Sequence, residues 1–332
     1  MNLSAVAFRA LSFGIAAAVL AACGEQSAAL SPPAPAAATS AQHTWMSPGA
    51  QKQPSLLYVS NDGTASVTVY TYLNGGGLLQ VGTLTGFSVP TGLCADKAGD
   101  VWVSDWGAKA LYEYAHGGTT RIFTIRQPSD RPYDCAVDLA TGDLAVANQQ
   151  PNGHYYPSGN VKIYPPHSHS GRAYGGSWFP EVNFVAYDNK GDVFADVANT
   201  DPYAYGGPLY ELPAGGDQLL PLTISGATLY TPGALQWVKP YLLAGDRDFQ
   251  AKDEQGAYKL IVFGSVATSV GTLSFQKTQN TYAFWRRGDK VIVPDHDQSV
   301  IQIYPLAGGT IEKTLRDNIS LPFGAAVSQA PQ

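Results

Sequence analysis

Charge is scarce in this chain of 332 residues: Asp, Glu, Lys and Arg make up 14% of it, with 26 acidic residues against 20 basic and a net charge of −6. No block of Lys or Arg occurs anywhere, which excludes the clustered cations that nucleic-acid binding rests on. Helical patterning is missing too, since no useful length carries apolar residues at 3.6-residue spacing. The apolar run from Ala10 to Leu20 is too short to span a bilayer as a folded helix. No G-x-S-x-G is present, so the nucleophile-elbow type of hydrolase is excluded. What the chain does hold is 35 Gly, 23 Pro and 19 Tyr, a mixture that suits many short strands joined by tight turns.

The N-terminus reads as an address, not as fold. A lone Arg9 ahead of the apolar run makes residues 1–22 a secretory signal pattern. Leu20-Ala21-Ala22-Cys23 resembles the lipobox of bacterial lipoproteins. That resemblance implies cleavage before Cys23, a diacylglycerol on its thiol and an acyl group such as palmitate on the new amine. Several chains together hold a protein to a membrane durably. An ordinary secretory signal cut at A-x-A is the alternative. Gly24 in place of Asp after the cysteine implies, by the same resemblance, the outer membrane of a bacterial envelope. Residues 23–54 are rich in Ala, Pro, Ser and Gln and read as a semi-extended tether. Residues 55–329 are expected to form one large all-β domain.

That domain repeats. Pro90, Pro132, Pro180 and Pro232 stand roughly 40–50 residues apart, and Pro322 follows at about twice that spacing. The skipped start falls near "TQNTYAFW", with Gln279 in the place of the proline. Each start leads into a short apolar strand, a turn and a second strand: "DVWVSD", "DLAVAN", "DVFADV", "YLLAGD", "KVIVPD". A third strand often ends in a glycine pair, as in "ALYEYAHGG", and a more polar fourth run closes the module. Four strands per repeat of this length imply propeller blades. The first module opens with "LLYVSNDG", a second strand with no first strand before it, and "LPFGAAVS" near the C-terminus supplies one. The expectation is a six-bladed β-propeller whose C-terminal strand closes the ring.

In the second module "VPTGLCADKAGDVWVSDWG" resembles the NHL-repeat consensus. The whole chain is similar to secreted bacterial NHL-like propellers without assigned activity. A more distant similarity is to gluconolactonase-like hydrolases, which hold a divalent cation at the central pore through residues following the blade starts. Carried onto this chain, that alternative implies a lactone or ester hydrolase with Glu181, Asp105, Asn280 and Asp295 as ligands, and Ca²⁺ as a fitting ion for such oxygen donors. Tyr133, however, stands where a ligand Asn is expected in "RPYDCAVD".

The second strands end in Asn61, Asp105, Asn148, Asp246 and Asp295. Such residues either cap turns through backbone amides or form a polar rim around a pore. The loops after these strands carry Tyr155, Tyr156, Tyr203 and Tyr205, with Trp106 nearby, and function gathers on loops held by rigid scaffolds. His167 and His169 read as an exposed loop, and His296, between Asp295 and Asp297, as a turn. Cys94 and Cys135 lie on first strands of neighbouring modules with opposite parity, a geometry that allows a disulfide between them in an exported protein. The expectation is thus a monomeric, lipid-anchored, non-catalytic binding or scaffold module with no cofactor. Its face of Trp106, the four tyrosines, Asp105, Asp246 and Asp295 would meet an envelope protein or a glycan.

Overall fold

The computed structural model describes residues 43–72, 77–149, 159–175, 179, 181–198, 207–249 and 254–331. Cys23, Tyr155, Tyr156, Pro180, Tyr203 and Tyr205 lie outside the described residues. Among those described, regular structure is all β apart from two short 3₁₀ turns, Ala50–Lys52 and Asp62–Thr64.

The strands form sheets of four antiparallel strands in chain order. Pro90–Ala95, Val101–Asp105, Ala110–Tyr114 and Arg121–Arg126 make one; Arg131–Val137, Leu144–Gln149, Gly159–Tyr164 and Arg172–Gly175 make the next. An eight-stranded sheet comprises two such quartets, Val182–Ser225 and Pro232–Ser274, joined where Leu220–Ser225 runs parallel to Val266–Ser274. Trp285–Arg287 to Lys313–Leu315 forms another quartet. In the remaining sheet Ser55–Asn61 is flanked by Ser66–Thr71 and by the C-terminal Pro322–Gln329, with Leu57 opposite Val327 and Asn61 opposite Pro322.

Burial on both sides explains the sequence pattern. Leu56 and Tyr58 face the sheet that contains Leu93, Val103 and Tyr112. Leu57 and Val59 face Ile292, Ile301 and Ile303 of the last quartet. A strand sandwiched between two neighbours takes apolar residues on both faces, so "LLYV" is a continuous apolar run rather than an alternating one. Outer strands alternate or turn polar because one edge meets water: Arg121, Ile122 and Arg126 are exposed while Ile125 is buried.

Two boundaries differ from the sequence reading. The folded body begins before residue 55: Trp45–Met46 pairs with Thr83 and Gly82 as an edge strand, and Ala50 is buried. Two residues are too few to leave a periodicity, so a polar stretch hides an ordered edge. The module starts also shift. Backbone bonds from Trp106 to Val89, Arg247 to Thr231, His296 to Asn280 and Ala198 to Glu181 mark equivalent positions. They put Thr281, not Gln279, and Val182, not Pro180, in the place of Pro90. Proline marks these starts loosely because the position needs only an extended residue beside a bulge, not a ring.

Candidate functional site

Most first strands carry a register shift just past their start, as between Pro90 and Leu93, Val182 and Phe184, and Pro232 and Leu235. Bulges re-aim side chains, and here they set a layer one residue after each start: Thr91, Tyr133, Asn183, Gly233, Tyr282 and Phe323. Three of these are aromatic and interlock. Tyr133 meets Phe323 edge-on at 4.9 Å, and Tyr282 stacks on Phe323 at 4.8 Å. The Arg247 guanidinium covers Tyr282 at 4.0 Å. Three of the six ring positions that would present oxygen ligands in a lactonase-like pore are thus taken by aromatic side chains.

A cavity of about 570 Å³ begins one residue deeper. Leu93, Val185, Leu235, Phe284 and Trp237 give it apolar walls, and Lys97, Asp138 and Asp188 in the turns between first and second strands lie at its far end. Asp134 is the acidic group on the inner wall, buried and accepting one long bond from the Val185 amide at 3.4 Å. Burial pushes its carboxyl up to about 8, so at neutral pH it is largely protonated and can donate a hydrogen bond. Gly92 of the adjacent strand makes this possible, because a Cβ there would come 2.6 Å from the Asp134 Cα.

The residues expected at the rim are engaged within their own loops. Asp105 accepts the amides of Ser88, Val89 and Ala108 at 2.8–3.0 Å. Asp246 accepts those of Tyr230, Thr231 and Asp248, and Asp295 those of Gln279, Asn280 and Gln298. Asn61 accepts from Ser320, and Asn148 donates to Asn160. Each of these residues therefore fastens the loop before its sheet, or the strand beside it. Burial raises Asp246 and Asp295 above the usual carboxylate range, against the pull of those amides.

Glu181, raised by burial, uses its backbone carbonyl to bond Ala198, and Asn280 bridges Arg247 and Asp297. Glu181, Asp105 and Asp295 are not gathered: among the described residues one set of acidic, His or Cys side chains comes close enough to share an ion, and it is Asp96, Asp100 and Glu113. Trp106 lies under Arg131 at 3.9 Å and donates to Gln149. His169 stacks on Phe123 with His167 at the ring's edge, and His296 pairs with Asp297. Cys94 and Cys135 form a disulfide with Cα atoms 5.7 Å apart.

Sequence reasoning passed over Asp134 and Asp196. Their signal is an acid inside an apolar strand, "PYDCAV" and "VFADV", where a solvated carboxylate has no place. No protein-family model matches the chain, and no curated protein matches its sequence. Among solved structures, a chain of a nidogen/laminin complex aligns with a TM-score of 0.65 at 15% identity, covering 84% of this chain and 100% of its own. A protein of unknown function from Bacteroides caccae aligns at 0.59 and 13%, covering 83% and 99%. The fold is a β-propeller. Its two ends differ: the propeller end bearing the module starts is filled by aromatic side chains, and the end bearing the short turns carries the cavity.

Proposed function

We propose that this chain is a lipid-anchored, non-catalytic binding propeller of NHL-like type, with six blades and a ring closed by the C-terminal strand. Five quartets in chain order, when the eight-stranded sheet is divided at its parallel joint, and the five-stranded sheet that takes in the C-terminal strand support the blade count. The pairing of Pro322–Gln329 with Ser55–Asn61, and the packing of Leu57 against Ile292, support closure. The lipobox-like Leu20–Cys23 supports the anchor, and with Gly24 an outer-membrane site in a bacterial envelope.

The ligand of this propeller is a small, predominantly apolar envelope molecule that carries one hydrogen-bond acceptor or amine. The observation that carries this reading is the cavity of about 570 Å³ with Asp134 on its wall. Apolar pockets of this size with few convergent polar groups are the usual form of a small-molecule site. Asp134 gives orientation, donating to an acceptor when protonated or pairing with an amine when not. Trp106 belongs to the opposite end, where an envelope protein or glycan would dock while the cavity is filled from the turn side.

N-phenyl-1-naphthylamine, a neutral apolar amine that fluoresces out of water, tests this. Saturable binding at one site per chain, lost in Ala136→Trp and weakened in Asp134→Ala, is the expected result. Binding that does not saturate, or that is untouched by filling the cavity, would remove the channel as the site.

A further inference from the structure

The turn joining Pro90–Ala95 to Val101–Asp105 reads "DKAGD". Asp96 closes it, its carboxylate accepting the Asp100 amide at 2.8 Å. Gly99 takes φ +89°, where an L side chain is strained, and the Gln329 carbonyl fills the space a side chain would need. This tight turn fixes two carboxylates side by side. A third comes across the sheet from Glu113, on the strand Ala110–Tyr114 and paired with Trp102. One carboxylate oxygen from each of the three lies within 4.8 Å of the other two.

Glu113 is the independent observation. The residue is 4% exposed, and its Oε2 is buried with no hydrogen-bond partner. Among the described residues no Lys or Arg forms an ion pair with any of the three acids. A buried carboxylate oxygen left without a partner destabilises the fold, and two further carboxylates beside it make that worse. A cavity of about 80 Å³ adjoins the group, lined by Asp96, Glu113, His167 and Ser168 and walled by Trp102 and Phe123. It has room for a cation and a bound water.

The quartet Val182–Ser225 contains a natural control. Its turn spells "DNKGD" and its third strand carries Glu211, the same residue types in the same places. There Asp192 caps the Ala214 amide at 2.8 Å, and Asp188 accepts from Lys190 and Asp192. Those carboxylates do not converge as the first set does, and Glu211 stays half-buried with Lys190 near it.

We propose that Asp96, Asp100 and Glu113 form a calcium site, completed by water in the small cavity. Three carboxylate oxygens and no sulfur select a hard cation, and their irregular arrangement suits Ca²⁺ better than the strict octahedron of Mg²⁺. The ion lies between two turns and close to the closing strand, since Ser328 Oγ donates to the Gly99 carbonyl and bonds His116 Nδ1. It therefore ties the C-terminal strand to its neighbouring sheet, and needs no residue of the central channel.

The test uses the mature chain, stripped of metal with a chelator and then titrated with CaCl₂, MgCl₂ or TbCl₃. Expected are one calcium bound per chain, a thermal midpoint that rises and saturates with calcium but not magnesium, and terbium luminescence sensitised through Trp102 and competed by calcium. Glu113→Gln keeps the shape and removes the repulsion. It should melt higher than wild type without metal, and should lose the calcium response and bind terbium at least tenfold more weakly. Glu211→Gln should respond as wild type. No calcium bound, a response to magnesium alone, or a calcium response that survives both Glu113→Gln and Asp96→Asn would overturn the site.

Discussion

Asp134 and Asp196 take up neighbouring amides of one strand: Val185 donates to Asp134 at 3.4 Å and Phe184 to Asp196 at 3.0 Å. Both acids are buried, Asp196 Oδ2 has no partner, and Asp134 adds to the rise that burial gives Asp196. Two carboxyls on adjacent amides in an apolar wall hold protons that the unfolded chain would release.

Stability should therefore depend on pH in the direction opposite to that of salt-bridged acids. The Asp134 carboxyl sits at about 8 in the fold against 3.8 in the open chain, so the folded form binds the extra proton between those values. Its contribution is full below about pH 4, declines as pH rises and is gone above about 8, at up to about 1.4 kcal/mol per pH unit. Urea unfolding from pH 5 to 8 should show this fall, and Asp134→Asn should flatten it. An unchanged slope in the variant would show that Asp134 is ionised throughout.

The tail strand holds the first sheet together. Phe323 and Val327 are buried, and their exposure alone costs about 3–6 kcal/mol. Removing residues 321–332 should lower the unfolding midpoint sharply and broaden the transition, as read by circular dichroism. Phe263→Ala, at a site 89% exposed, should leave stability within about 0.5 kcal/mol.

Asp105 fastens its loop through both carboxylate oxygens. Asp105→Ala leaves the part-buried amides of Ser88, Val89 and Ala108 without their acceptor, and water replaces it only in part, where a fully buried orphan would cost about 1–3 kcal/mol. A loss of about 1–3 kcal/mol in all is expected relative to wild type, equal with calcium and with chelator. Asp105→Asn, which keeps one oxygen, should lose less. A deficit that appears only when calcium is present would return Asp105 to the list of ligands.

The bond between Cys94 and Cys135 closes a loop with a sequence separation of 41, for which chain entropy gives about 4 kcal/mol. Cys94→Ala with Cys135→Ala should lose a large part of that, and reductant should destabilise wild type but not the double variant.

Much of this was legible in the residues. Runs such as "DVWVSD" and "KVIVPD" announce strands buried on both sides, and "LPFGAAVS" announces a first strand awaiting its second. Opposite parity on neighbouring strands made the disulfide an open possibility, which the structure settles in favour of the bond. The starts at Thr281 and Val182 were missed because proline is a habit of that position rather than a need. The edge strand Trp45–Met46 was missed because two residues cannot show a period.

By itself the sequence determined the repeat, the all-β class and the pairing of the tail with the opening strand, because these follow from local periodicity and from which strand a module lacks. Tertiary structure alone decided that Tyr133, Tyr282 and Phe323 fill one end of the channel, that Asp134 looks into an apolar cavity, and that Glu113 reaches Asp96 and Asp100 while Glu211 does not reach its counterparts. Those outcomes depend on bulges, side-chain directions and distances between separate strands. Two turns with the same spelling differ in them because their neighbours differ.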